Sequence, residues 1–576
     1  MRLSSIALCS VILFALAAWV GCSSGPAGSQ LPMRNGHVRR SDLPGAYIKH
    51  IFIIVQENRS LNNLFADSGI SGAGTTKYGC ASPPFNGSGS GYYGGSGSYN
   101  CPAGDKVVKL HPVALATAGG NGWADIDHCY LDAVDAINGS TQPMDGFNHE
   151  YPGDCPSKGD QGGAGTVPYG YVDKSHIGEY VYIANNWVLG ANFYPTELGP
   201  SFVAHQNLIA GTTEIAENYA VANYPGGTPW GCDQSPPGTQ MQWLSPTRTP
   251  GPTAPPTPCY NEYHTIVDEL DSPPNLTGAR VTPSPIPWRY YAPKFGQGGY
   301  IWSAFDAINN VRNGPDWDKD VKPYSPSWHV LDDLQSGALI NAGVVWVVPN
   351  GAYSDHAGEE VGDEGPAWVG DVVNAIGTSP LWSSSVIVIL WDDWGGWYDN
   401  APPPKLGFQS SGYSSGVLRG EGIRTPLLIL SPYAKQGQDE GHVSLRYFNP
   451  GSILAFIEQT FNLLPLGELA CDPSYGSGYG SGSGSQCERG YTDATANSID
   501  SVFDWTQSPR PYGSPIPVPS KFGDKFFENG CGSRETLSKR SEFKGTISKR
   551  FARSNYNCPY GSGSGSGYSE YPPDNE

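Results

Sequence analysis

Two strings in this 576-residue chain place acidic groups where they could hold a cation. The first is Gln56-Glu57-Asn58-Arg59-Ser60, a carboxylate beside an amide oxygen, both able to ligate a hard metal ion. The second is Trp391-Asp392-Asp393-Trp394-Gly395-Gly396-Trp397-Tyr398-Asp399. Its adjacent carboxylates repel each other unless a cation lies beside them, and its two glycines let backbone approach a ligand closely. A third string, Gly199-Pro200-Ser201-Phe202-Val203-Ala204-His205-Gln206, sets a hydroxyl at the start of a helix-like run toward Gly211-Thr212. Such a hydroxyl is either an N-cap or a nucleophile facing an anion held by helix N–H groups. It does not lie in Gly-x-Ser-x-Gly, so an α/β-hydrolase elbow is not supported. His128, in Asp125-Ile126-Asp127-His128-Cys129, and His356, in Ser354-Asp355-His356, suit phosphate binding or leaving-group protonation. Each string also has a plainer reading: a solvated loop, an acidic turn, an ordinary hydrogen-bonded histidine.

These strings need elements to position them. Tyr47 to Gln56 is an apolar run too continuous for a one-sided sheet, and suits a central strand covered on both faces. Gly343–Pro349, Ser385–Trp391 and Pro426–Ser431 repeat the pattern, with helix-like stretches at Gly365–Ile376 and Pro450–Leu463. Strand–helix alternation predicts a three-layer α/β/α unit with a mostly parallel central sheet. In such sheets functional groups collect beyond the carboxyl ends of the strands, which is where the first two strings fall.

Composition bounds the function. Lys+Arg 34 against Asp+Glu 54 gives a net charge of −20, a poor surface for nucleic-acid phosphates, so no nucleic-acid partner is expected. The 16 Trp, 33 Tyr and 19 Phe can bury a large core, which excludes a disordered polyelectrolyte. Residues 1–21 read as a secretory signal: Arg2, an apolar run from Ile6 to Val20, then small residues. Gly21-Cys22 resembles a bacterial lipobox, with Trp19 where leucine is usual, so Cys22 is expected to carry a membrane anchor; plain cleaved secretion is the alternative. Residues 22–45 read as a flexible tether, 46–510 as the α/β domain and 511–576 as a tail. The ten remaining mature cysteines fall into neighbouring pairs, Cys80/Cys101, Cys129/Cys155, Cys232/Cys259, Cys471/Cys487 and Cys531/Cys558. These predict five local disulfides stapling Gly/Ser/Pro-rich insertions in an oxidising compartment. Gly/Ser/Tyr stretches at 86–99, 475–485 and 560–568 read as surface decoration, and the locally basic segment 521–553 as a solvated tail or a patch for anionic surfaces.

Taken in order, the motifs resemble the bacterial phosphoesterase family that holds phospholipases C and a secreted acid phosphatase, similar in turn to the alkaline phosphatase superfamily. The strings that carry this are Ile51 to Leu61, Met144 to Phe147, Gly199 to Ser201 with Ala210 to Thr212, Pro349-Asn350, Ser354 to His356 and Val373 to Ile376. Further matches are Ser379 to Trp382, Trp391 to Asp399, Pro402 to Pro404, Arg424 to Pro426, Ser431 to Tyr433 and Ser452 to Glu458. The resemblance covers roughly residues 47–465. It implies an exported, metal-dependent phosphoesterase acting on phosphate monoesters or phospholipid headgroup esters. It places the nucleophile on Ser201, a divalent metal on Glu57, Asn58, Ser201, Asp392 and Asp393, and phosphoryl-handling histidines at His128 and His356. Two positions depart from the pattern: Asn400 and Pro450 stand where the family has histidine. Those losses keep a rival open, a catalytically silent surface-binding lipoprotein on the same scaffold.

Overall fold

The computed structural model describes residues 44–522, apart from 86–91, 95–98, 116–125, 140, 151–162, 217–218, 227–228, 235–241, 245–249, 252–257, 262–263, 274–283, 324–328, 359–362, 405–420, 436–442, 467–490 and 494–495. The signal, the tether before residue 44, the basic segment beyond 522 and Cys155, Cys471, Cys487, Cys531 and Cys558 lie outside the described residues. Two of the expected disulfides, Cys80–Cys101 and Cys232–Cys259, are formed.

The long apolar runs become strands of one eight-stranded sheet. Its members in chain order are β1 (His50–Gln56), β2 (Val188–Phe193), β3 (Trp288–Ala292), β4 (Val321–Pro323), β5 (Val344–Val347), β6 (Ser385–Trp391), β7 (Thr425–Leu430) and β8 (Val443–Ser444). Their spatial order is β4-β3-β5-β1-β6-β7-β2-β8. From β4 to β6 every pairing is parallel, as is β2 with β8; β7 runs antiparallel to both its neighbours. All residues of β1, β6 and β7 are buried. Because successive side chains point to opposite faces, both faces of the sheet's centre are covered. The cover includes α3 (Gly178–Asn186), which packs on α5 (Glu364–Thr378), and α4 (Ser201–Ala210), which packs on α6 (Pro450–Phe461).

Strand direction decides what meets at the functional edge. Gln56 pairs with Trp391, so β1 and β6 end level. The antiparallel β7 begins at that same edge, where Thr425 Oγ1 donates to the Trp391 carbonyl at 2.9 Å. Phe193 pairs with Thr425, so β2 also ends there and leads through Tyr194–Pro200 into α4.

Beyond residue 510, where the sequence reading draws the domain boundary, the chain lies along α5. The Asn374 amide oxygen accepts from Tyr512 Oη at 2.8 Å and from the Ile516 amide at 2.7 Å. Ile516 and Phe522 are buried in the main core. The physical reason is local: a Cβ at Gly377 would lie 2.5 Å from the Tyr512 ring, so the bare glycine is the seat for that ring.

Candidate functional site

The site forms where β1 and β6 run out. Glu57 and Asn58 are consecutive, and in an extended strand their side chains would point to opposite faces. Asn58 instead adopts φ 58°, the left-handed conformation that asparagine tolerates better than most residues. The turn lets both side chains serve one site: Glu57 Oε1 lies 3.1 Å from His205 Nε2, and Asn58 Oδ1 accepts from Ser201 Oγ at 2.9 Å. Arg59 and Ser60 are used differently. Arg59, fully buried, donates to the Asp355 and Leu115 carbonyls at 2.7 and 2.8 Å and lies over the Trp397 ring. Ser60 caps α1 (Leu61–Phe65) and donates to the Tyr398 carbonyl. Half of the string fastens loops together so that the other half is held still.

Asp392 and Asp393 come from the matching loop after β6. Asp392 Oδ1 accepts the Asn58 backbone N–H at 3.1 Å, which locks the two strand ends to each other. Its Oδ2 is buried, accepts no hydrogen bond and lies 3.5 Å from His205 Nε2. Asp393 Oδ1 accepts the Gly395 amide at 2.7 Å, and Oδ2 accepts from Ser201 Oγ at 3.1 Å. The glycine pair is needed for chain-to-chain contact. Gly395 has φ 59°, and a Cβ there would sit 2.2 Å from the Asn58 carbonyl oxygen.

Ser201 opens α4, a helix whose ten residues are all buried. Pro200 is the cap residue, and Ser201 makes no capping bond; its hydroxyl donates outward to Asn58 and Asp393. The Ser201 and Phe202 amides belong to the first turn, which has no intrahelical acceptors, so the positive end of the helix faces the hydroxyl. One turn later His205 emerges on the same face, and the ligand atoms of Glu57, His205 and Asp392 lie within 4.8 Å of one another. Sequence reading quoted His205 within the serine string and gave it no role. The signal was present, because residues four apart on a helix share a face.

The histidines complete the surroundings. His128 Nδ1 lies 2.8 Å from the Ile126 carbonyl, so Nδ1 carries the proton and Nε2 accepts from Asn58 Nδ2 at 2.8 Å. The same contact orients the Asn58 amide with its oxygen toward Ser201. His128 Nε2 is 3.8 Å from Asp393 Oδ2. His356 Nδ1 contacts the Ala357 carbonyl at 2.9 Å, which leaves Nε2 as its basic nitrogen, and its ring centroid is 6.0 Å from that of His128. Beside it Asp355 is fully buried and accepts from Tyr180 Oη and Trp391 Nε1, each at 2.9 Å. Burial pushes its carboxyl up to about 7 against the opposing Arg59 charge.

The structure therefore brings Glu57, Asn58, Ser201, Asp392, Asp393 and His128 together, adds His205, and seats His356 alongside. Asn400 and Pro450 stand elsewhere. Asn400 donates to the Gly74 carbonyl and accepts from Arg424, and Pro450 is the first residue of α6.

Known proteins share parts of this framework. A non-hemolytic phospholipase C of Pseudomonas aeruginosa is 24% identical over 216 residues, 31% of this chain and 30% of that one. A hemolytic phospholipase C of the same organism is 29% identical over 194 residues, 31% and 25% of the two chains. The non-specific phospholipase C6 of Arabidopsis thaliana is 30% identical over 122 residues, 19% of this chain and 23% of its own. The chain thus spans less than a third of the length of each of these relatives. A solved structure of a protein in the alkaline phosphatase superfamily from Vibrio parahaemolyticus aligns over 50% of this chain and 60% of its own, with 10% identity and a TM-score of 0.27. That likeness is too distant to bear on the fold, which rests on the sheet order above. Residues 48–464 match the Phosphoesterase family, a span that takes in β1, α4, β6 and every side chain placed around Ser201; the chain belongs to that family.

Proposed function

We propose that the protein hydrolyses phosphate monoesters or phospholipid headgroup esters through Ser201, with a divalent metal ion in the Glu57–Asp392–Asp393 cluster. The observation that carries this is the Ser201 hydroxyl hydrogen-bonded to Asn58 Oδ1 and Asp393 Oδ2 at the positive end of α4. The donor set fits a cation: the ligand atoms of Glu57, His205 and Asp392 lie within 4.8 Å of one another, Asn58 Oδ1 and Asp393 Oδ2 meet at the Ser201 hydroxyl, and Asp392 Oδ2 is buried without a hydrogen bond. Glu57, Asn58, Ser201, Asp392 and Asp393 would hold the ion, with His205 against Glu57 and Asp392. A bound divalent ion would lower the hydroxyl pKa and neutralise charge on the phosphoryl oxygens.

The chain's own groups do the rest. Asn58, held by His128 on one side, fixes the hydroxyl on the other. Asp393 Oδ2 stands within reach of the hydroxyl proton as the Oγ–P bond forms and the ester P–O bond breaks. The α4 amides face the phosphoryl oxygens. His356 Nε2 is the group assigned to return a proton to the departing oxygen. Water then cleaves the phosphoseryl ester and restores the hydroxyl.

Export and anchoring through Cys22 belong to the same reading, because a membrane-bound enzyme meets lipid headgroups directly. An acyl anchor contributes about 0.8 kcal/mol per buried methylene. Cys22→Ser is expected to move the protein to the soluble fraction, and unchanged partitioning would remove the anchor from the proposal. The test of chemistry is an acid quench during turnover of a chromogenic phosphate monoester, and of phosphatidylcholine in a parallel arm. Phosphate is expected on Ser201 in the monoester arm and phosphocholine in the lipid arm, and chelator is expected to stop turnover in both. A wild-type protein that turns over neither substrate at any added divalent metal would leave the silent scaffold as the better account.

A further inference from the structure

Among the described residues five large hydrophobic side chains are exposed: Tyr92, Tyr219, Phe295, Ile340 and Leu445. Three of them are carried by segments that lead to the site. Phe295, 47% exposed, follows β3 past its carboxyl end. The chain then runs on to Trp302, whose ring centroid is 5.8 Å from that of His356. Leu445, 64% exposed, follows β8, which runs parallel to β2 and so toward the edge that holds Ser201. Its carbonyl accepts from Asn192 Nδ2 at 2.7 Å, and Tyr447 stacks on Tyr194, at the head of the segment that enters α4. Tyr92, 41% exposed, adjoins the antiparallel pair Tyr78–Ala81 and Lys106–Lys109, to which Tyr93 adds a bridge with Val108. That pair shares a small core with α2 (Tyr130–Ile137) and with Tyr398, from the loop that carries Asp392 and Asp393. In the sheet order β3 and β8 lie on opposite sides of β1 and β6, so the exposed groups bracket the site.

Each of the three also has a positive charge beside it, in a chain with 54 acidic residues to 34 basic ones. Lys294 precedes Phe295 and Arg446 follows Leu445, and both are exposed. Next to Tyr92, Lys106 Nζ lies 4.1 Å from the Phe85 ring centroid and 5.5 Å from that of Tyr93. Tyr219 and Ile340 have no basic residue within three positions, and Ile340 precedes β5, at the opposite edge of the sheet. From this arrangement we propose that Tyr92, Phe295 and Leu445, with Lys106, Lys294 and Arg446, form a contact rim for the surface of a phospholipid bilayer. The rim rests on the reading of the site as one that acts on phospholipid headgroup esters. Apolar and aromatic tips enter the headgroup layer, and the cations beside them meet lipid phosphates. A protein partner calls for one continuous apolar patch, whereas separate tips around a site suit a broad, deformable surface.

The test uses the full-length chain carrying Cys22→Ser, so that no acyl group contributes, with chelator present so that no lipid is consumed. It is mixed with vesicles of phosphatidylcholine, with or without phosphatidylglycerol, and binding is read by co-sedimentation. The parent chain is expected to bind, more tightly when phosphatidylglycerol is present and less tightly as salt rises. Lys294→Gln, Phe295→Ser, Leu445→Ser and Arg446→Gln together are expected to weaken binding on the order of 100-fold with the unfolding temperature kept, and Leu445→Ser alone several-fold. Ile340→Ser is expected to bind as the parent does. Binding is read without turnover, so a chain inactive on every ester can still pass or fail, and loss of the hydrolytic reading is told apart from loss of the rim. The proposal is overturned if the parent sediments with neither vesicle, if the combined variant binds as tightly as the parent, or if Ile340→Ser loses as much as Leu445→Ser. Self-association in solution that the same substitutions abolish would overturn it equally, by making a second copy of the chain the occupant.

Discussion

Within nine residues the loop after β6 carries two sets of buried carboxylates with opposite surroundings. Asp399 receives the Asn62 and Ala401 amides at 2.9 and 2.8 Å and the Arg424 guanidinium at 3.0 Å. Burial pushes its carboxyl up, and Arg424 opposes that first. Asp392 and Asp393 are as deeply buried, yet their ion-pair partners are His205 and His128, and their neighbours a hydroxyl and amides. Arginine is always charged, whereas histidine is mostly neutral near pH 7. Asp399 is a finished clamp that ties α1, β7 and the loop together. In the proposed function, the Asp392–Asp393 pair takes its compensating charge from outside the chain.

That contrast can be broken by experiment, and the largest effect should come from the hydroxyl between the two aspartates' neighbours. Ser201→Ala is expected to reduce phosphoester turnover on the order of 10^3-fold or more while the unfolding curve hardly moves. Full activity in that variant would point to a water as the attacking group. Asp393→Asn keeps the shape and removes one charge. It should lower turnover and weaken metal binding by roughly 10–100-fold, with part of the rate recovered by added metal; bound metal and kcat measured together decide it. On the Asp399 side, Arg424→Ala should destabilise by about 3–5 kcal/mol in denaturant unfolding, since it strands a buried carboxylate. In chelator-treated protein, Asp392→Asn should by contrast be neutral or stabilising. If both changes destabilise alike, charge is not what separates the two sets.

Per pH unit, the smallest effect concerns Asp355. Its folded-state pKa of about 7 exceeds the ordinary 3.8, so the folded state holds this proton more tightly than the unfolded chain does. The stability it contributes is full below 3.8 and is lost as pH rises through 7, at up to about 1.4 kcal/mol per pH unit. Asp355→Asn should flatten that fall in a pH series of unfolding measurements, and a wild-type slope in the variant would assign it to other groups.

Much of this was legible in the chain. The apolar runs that become β1, β5, β6 and β7 need no context, because a strand covered on both faces must be apolar throughout. Strands β2 and β3 were hidden: Val188 to Phe193 is broken by Gly190 and Asn192, and Trp288 to Ala292 contains Arg289, which pairs with Asp320. The groups around Ser201 were each in view as short strings, although only a resemblance joined them. His205 was missed because its role comes from sharing a helix face with Ser201.

By itself the sequence determined which residue types were available: continuous apolar strands, paired acids followed by glycines, and a serine at a helix start. Those are properties of neighbours along the chain, set by side-chain periodicity and by the chemistry of each group. Tertiary structure alone decided which carboxylates would meet arginine and which would meet histidine. That choice depends on strand order and direction. Parallel β1 and β6 ending level bring Glu57 to Asp392, while antiparallel β7 delivers Arg424 to Asp399. Pairings across more than three hundred residues, such as that of the Asn58 amide with Asp392, rest on the packing of the sheet, and no local pattern encodes them.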